Sequence, residues 1–207
     1  PAKGPKHLIK YTPGKKPLLL YYSPEDFWHI HERLSSPYGA NSFEIVEFGN
    51  TDKILSLLGD ISGYVFLGND TKPLLSSDVK INCQFMTARM NWKRRTKSNY
   101  EIHCISEANK KASIGHLAAK IAFFEGASEY EIHMKYLQAM NEVDANLPYC
   151  AIVGLDKNSA ILHYHGRELK KNGHVLLIDS GASYMHYAAD ITRTYATQAC
   201  NTLFLEL

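Results

Sequence analysis

Val175 to Thr194 reads VLLIDSGASYMHYAADITRT, and this stretch decides the fold. An apolar run rich in strand formers, Val175-Leu176-Leu177-Ile178, is followed at once by Asp179. Ser180-Gly181-Ala182-Ser183 supplies small residues, and a second strand-like run from Tyr187 to Tyr195 carries Asp190. Two such runs joined by a short turn predict a β-hairpin. With the turn centred on Tyr184 and Met185, Asp179 falls directly opposite Asp190. Cross-strand partners point to one face, with Cβ atoms about 4.5–5.5 Å apart.

Two carboxylates so placed repel, and a buried pair either shares a proton or binds a cation. Carboxylate oxygens suit hard cations such as manganese or magnesium. Asp179 and Asp190 are therefore candidate metal ligands, and a metal held there would polarise a carbonyl and activate water. The plainer reading stands beside this one. Both aspartates are then turn or edge residues of an ordinary hairpin, and a bulge would break their register.

Asp179-x-Gly181 followed by Tyr187-Ala188-x-Asp190-x-Thr192-Arg193-Thr194 resembles the metal-binding hairpin of the pita-bread metallopeptidases, most of all the bacterial Xaa-Pro dipeptidases, or prolidases. The resemblance implies that Asp179 binds one metal and that Asp190 bridges two, with manganese as the expected ion. It implies hydrolysis of dipeptides with proline at the second position, and a homodimer for the complete protein. Such a bond needs a specialised enzyme because proline's nitrogen carries no N–H. A related hydrolase of organophosphorus esters uses the same kind of site. The implied fold is the later part of an α/β N-terminal domain over residues 1–96, followed by the first half of an α+β pita-bread catalytic domain over 97–207.

The residues before the hairpin fit that division. Residues 1–17 are polar and punctuated by Pro13-Gly14, which predicts a loop or two short edge strands. Leu18-Leu19-Leu20-Tyr21-Tyr22 is a continuous apolar run suited to mid-sheet. Ser23-Pro24 signals a helix start, with Phe27-Trp28 packing that helix down. Strands over Ser42–Phe48 and Gly63–Leu67, with a short helix over Asp52–Leu58 between them, complete an α/β pattern. His29 and His31, two apart, face different sides of a helix and read as surface residues. Asn91 to Lys97 is the one basic run and reads as a solvated interdomain segment.

Ser98 with Glu101, and Ser128 with Glu131, make two capping boxes. They predict a long helix to Phe124, ended by Gly126, and then a second helix. The first carries apolar residues at Ile102, Ile105, Ala108, Ala112, Leu117, Ile121 and Phe124 near helical spacing. Tyr149 to Gly154 is an apolar strand, and Asn158 to Tyr164 is the next informative stretch, with His163 placed at a strand end. Within it Ala160-Ile161-Leu162-His163-Tyr164 resembles the family segment whose histidine reaches the substrate, which makes His163 the candidate substrate-binding residue. A buried histidine satisfied by backbone is the plainer alternative. A His163/His165 zinc pair is disfavoured, since alternate strand residues face opposite ways.

The family's site takes two Asp, one His and two Glu, in that order. After Asp190 this sequence has no histidine, and its only carboxylate side chain is Glu206. The resemblance fades in the last residues, Ala199 to Leu207. The sequence therefore predicts an incomplete piece, inactive alone and without catalytic residues of its own. A non-catalytic peptide-binding or dimerisation module is the alternative.

Composition limits the other classes. Net charge is +2 at pH 7, so there is no electrostatic footprint for nucleic acid or an anionic membrane. No apolar run approaches the roughly 20 residues of a membrane span. Hydrophobic residues make up 45%, as in a globular chain. Cys83, Cys104, Cys150 and Cys200 are scattered without a C-x-x-C pair, so free thiols in the cytoplasm are expected. Cys150 reads as a small buried residue. The chain opens on Pro1-Ala2-Lys3 without Met or an apolar leader, which predicts a start inside a longer protein or after processing.

Overall fold

The computed structural model describes residues 6–25, 27, 39–69 and 79–204. The chain divides into two compact units, residues 1–95 and 96–207.

In the first unit β1 (Leu8–Lys10) and β2 (Leu18–Tyr22) flank the Pro13-Gly14 turn and pair antiparallel, while β2 pairs parallel with β3 (Glu44–Phe48). The apolar run at 18–22 is thus the middle strand, as its unbroken hydrophobicity predicts. Leu20 is fully buried and packs with Phe48, Ile54 and Leu58. The last two lie on α1 (Ile54–Leu58), which a 3-10 turn over Thr51–Lys53 precedes. Lys10 Nζ donates to the carbonyls of Leu58 at 2.6 Å and Asp60 at 2.7 Å, the first of them a group that the helix end leaves unpaired. A parallel pair, β4 (Val65–Phe66) with β5 (Lys80–Ile81), follows.

Phe27 is 90% exposed, while Trp28, His29 and His31 lie outside the described residues. The basic run lies largely within a helix, α2 (Gln84–Arg95), and is solvated as expected. None of its residues is buried, and the Arg95 guanidinium stacks over Trp92 at 4.6 Å.

The second unit sets two helices against a three-stranded sheet. Both capping boxes form: α3 (Asn99–Phe124) starts at Ser98 and α4 (Glu129–Met140) at Ser128. Between them the chain reverses at Gly126, φ +81°, where its N–H reaches Phe123 O and the Ala127 N–H reaches Ala122 O. That pair of bonds is a Schellman stop, which needs a left-handed residue.

The buried stripe of α3 differs from the predicted one. Ile102, Leu117, Ile121 and Phe124 are half or more exposed, whereas Cys104, Ala108, Ala112, Gly115, Ala119, Ala122 and Phe123 are buried. Small residues let α4 approach closely. A Cβ on Gly115 would sit 2.7 Å from the Tyr136 ring.

The sheet order is β10-β7-β6, with β6 (Ile152–Leu155), β7 (Val175–Ser180) and β10 (Ile191–Ala196) all antiparallel. Val153, Leu155, Leu176 and Ile178 face the helices and join their core. Alternation therefore turns Leu177 and Asp179 to the other face. The strand end expected at His163 does not form. Residues Asp156–Ala160 make a 3-10 helix, and Leu162-His163 lie in a turn. All four cysteines are free thiols, and Cys150 is exposed rather than buried. Among the described residues no helix is long and apolar enough to cross a membrane.

Candidate metal centre

The hairpin forms, but its turn lies one residue further on than the spacing suggests. β8 (Ser183–Tyr184) pairs with β9 (Tyr187–Ala188), and Met185 and His186 form the tip with φ of +47° and +66°. Positive φ at both central positions is the twist-matched hairpin turn. Moving the turn by one residue moves each cross-strand partner by two. Asp179 therefore pairs with Thr192, and its predicted opposition to Asp190 is not made. Asp190 lies just before β10, on the diagonal. An even offset keeps it on the same face as Asp179, within reach of that neighbour.

The two carboxylates still meet. The Tyr149 hydroxyl lies 2.8 Å from Asp179 Oδ1 and 2.9 Å from Asp190 Oδ1. Tyr149 stands three residues before β6, and its half-buried ring reaches across the sheet end. Asp179 is half-buried and Asp190 is exposed. Burial pushes the Tyr149 phenol up, and its bonds to both carboxylates push it further, so it stays protonated. One hydroxyl proton faces two anionic oxygens and cannot satisfy both at once. An oxygen-only pair of anions converging on one point fits a hard divalent cation. Among the described residues no group of three His, Cys, Asp or Glu side chains gathers there or elsewhere.

His163 is exposed in its turn, and among the described residues no hydrogen bond or ion pair ties it to Asp179, Asp190 or Tyr149. Its loop is nevertheless firmly held. Glu129, 1% exposed at the start of α4, accepts from Leu155 N at 2.8 Å, Asn158 Nδ2 at 2.9 Å, Tyr164 OH at 2.7 Å and Glu168 N at 2.8 Å. Burial alone would raise this carboxyl, but the four donors outweigh it and hold it below its ordinary value. Burial and Glu129 together push the Tyr164 phenol up to about 12.

Tyr149 and Glu129 are the polar residues that sequence reasoning missed. A tyrosine just before an apolar strand is a weak signal. An acid at the first position of a helix reads as a surface complement to the helix dipole. Nothing in the spacing ties Glu129 to Asn158 or Tyr164.

Residues 103–202 match the family model described as metallopeptidase family M24, and residues 2–92 match that of the Xaa-Pro dipeptidase N-terminal domain. The Xaa-Pro dipeptidase of Shewanella sp. (strain MR-7) is 42% identical over 186 residues, covering 87% of this chain and 42% of its own length. That of Shewanella woodyi is 41% identical over 197 residues, covering 93% of this chain and 44% of its own. Among solved structures, the X-Pro aminopeptidase from Thermotoga maritima superposes with a TM-score of 0.66 at 19% identity, over 99% of this chain and 58% of that one. The prolidase from Pyrococcus furiosus gives 0.60 at 24%, over 74% and 50%.

The fold is thus that of the pita-bread metallopeptidases, an N-terminal domain followed by part of an M24 domain. Within that class the chain belongs to the Xaa-Pro dipeptidase family. It spans about two fifths of the length of these curated relatives.

Proposed function

We propose that this chain is the metal-carboxylate part of a Xaa-Pro dipeptidase, and that Asp179 and Asp190 are its ligands to a divalent ion, manganese by resemblance. The observation that carries this reading is the convergence of both carboxylates on the one Tyr149 hydroxyl. When bound, such an ion polarises the carbonyl before proline and makes water a better nucleophile. The chain's own part is to hold two anionic oxygens on one sheet face, with the Tyr149 hydroxyl donating a hydrogen bond to whichever oxygen is not otherwise engaged. His163, on the loop anchored by Glu129, would meet the substrate by hydrogen bonding. Dipeptides ending in proline are the proposed substrates of the complete protein, and a homodimer its assembly.

Alone, residues 1–207 would not turn substrate over. Two carboxylates leave most of a hard ion's roughly six positions to water. The sequence after Asp190 adds no histidine and only Glu206. The test pairs two assays on the purified chain. Manganese titration followed by electron paramagnetic resonance is expected to show weak binding that Asp179→Asn or Asp190→Asn abolishes, and Ala-Pro is expected to remain intact. Binding unaffected by either substitution would overturn the ligand assignment. Turnover of Ala-Pro would overturn the inactivity.

A further inference from the structure

Between the two carboxylates the chain leaves the sheet for the β8–β9 tip and returns. Three successive carbonyls at the point of departure are each held from a different element. His116 on α3, 5% exposed, approaches Ser180 O at 3.0 Å through Nε2. Tyr136 on α4, fully buried, donates its hydroxyl to Gly181 O at 3.0 Å. The Ala189 N–H donates to Ala182 O at 2.9 Å. The His116 and Tyr136 rings pack edge to face, with centroids 5.4 Å apart, so the two donors form one buried unit. His116 Nδ1 has no hydrogen-bond partner among the described residues. That assigns the ring's single proton to Nε2, where it serves Ser180. Burial pushes His116 down, which favours this neutral form, and pushes the Tyr136 phenol up, which keeps it a donor. The segment has no slack on its other side, since a Cβ on Gly181 would lie 1.9 Å from Ala189 O.

We propose that His116 and Tyr136 are positioning residues of the carboxylate pair: from the helix side of the sheet they fix the Ser180 and Gly181 carbonyls, and so the diagonal placement that brings Asp190 to Asp179. The inference rests on the metal reading above. Neither side chain touches the ion. Each acts through the backbone that joins one ligand to the other, as outer-shell partners orient metal ligands elsewhere. A buried polar pair under a strand end could otherwise be apolar at no loss to packing. Its two donors are directed at the two residues that follow Asp179.

The test is manganese titration of this chain, read by electron paramagnetic resonance, with Tyr136→Phe as the probe variant. That change removes one hydroxyl and keeps the ring. Ile132→Val, one turn away in the same core, controls for general loosening, and thermal melts without metal rank the two. Tyr136→Phe is expected to weaken manganese binding about tenfold, while Ile132→Val leaves it unchanged at a similar melting temperature. Equal affinity in Tyr136→Phe and the parent, with Asp179→Asn still abolishing binding, would overturn the positioning role and leave the ligand assignment standing. Equal weakening by Ile132→Val would overturn it too. If Asp179→Asn itself changes nothing, the metal reading fails and this inference fails with it.

Discussion

At the scale of single residues, Gly181 shows how little room the site has. The register puts it across from Asp190, and any side chain there meets the Ala189 carbonyl. Backbone against backbone cannot be relieved by a rotamer change. Gly181→Ala is therefore expected to cost about 2–4 kcal/mol in urea unfolding, and a loss under about 0.5 kcal/mol would contradict the packing described. Both aspartates were legible in the sequence, because a carboxylate after an apolar strand and another eleven residues on is an unusual pattern. Their register was not. Met185 and His186 take the left-handed turn positions, and neither residue type announces that conformation as Asn or Gly would. Tyr149, which joins the pair, was invisible for the usual reason that a long-range side-chain contact leaves no local pattern.

At the scale of elements, the caps were the most legible feature. Ser128 and Glu131 satisfy each other's backbone donors at 3.3 Å and 2.9 Å. Ser128→Ala is expected to cost about 1 kcal/mol in a thermal or urea melt. The side of α3 that would be buried was less legible. Its large apolar residues suggested one stripe, but close packing against α4 selects the small residues instead. Hydrophobicity reports transfer free energy and not the separation of two helices. The loop carrying His163 looks strand-like in sequence because Ala160-Ile161-Leu162 is a short continuous apolar run. In the structure the Glu129 carboxylate binds Asn158, Tyr164 and the Glu168 N–H and so gathers the segment into a loop. Glu129→Gln puts an amide donor among groups that are already donors. A loss of about 3 kcal/mol in unfolding is expected, together with faster amide hydrogen exchange over 161–168. Unchanged exchange there would remove Glu129 from this role.

At the scale of the molecule, acid is expected to loosen the second unit first. Glu131 is held down to about 2, chiefly by its bond to Lys171 and then by the Ser128 N–H, and Glu129 is also held below its ordinary value of 4.5. Carboxyls depressed in the folded state contribute stability above their unfolded value, and that contribution is lost as pH falls. The melting temperature should therefore drop as pH is lowered from about 4.5 towards 2. A flat profile across that window would contradict the assigned hydrogen bonds. Self-association is the other expectation. Among the described residues β10 pairs only with β7 and leaves its outer edge open over Ile191–Ala196. Elution volume should decrease with rising concentration, and Thr194→Lys should suppress the change. A monodisperse sample at every concentration would count against an open edge.

The central claim is that Asp179 and Asp190 form one cation site although they are not cross-strand partners. Paramagnetic broadening tests it most directly, with manganese titrated into the isotopically labelled chain. The account predicts that amide signals of Tyr149, Asp179, Ser180 and Asp190 broaden first and together, and that Asp190→Asn spares the signals near Asp179. Broadening that begins at His163, at Glu131 or evenly over the surface, with these four residues untouched, would contradict it.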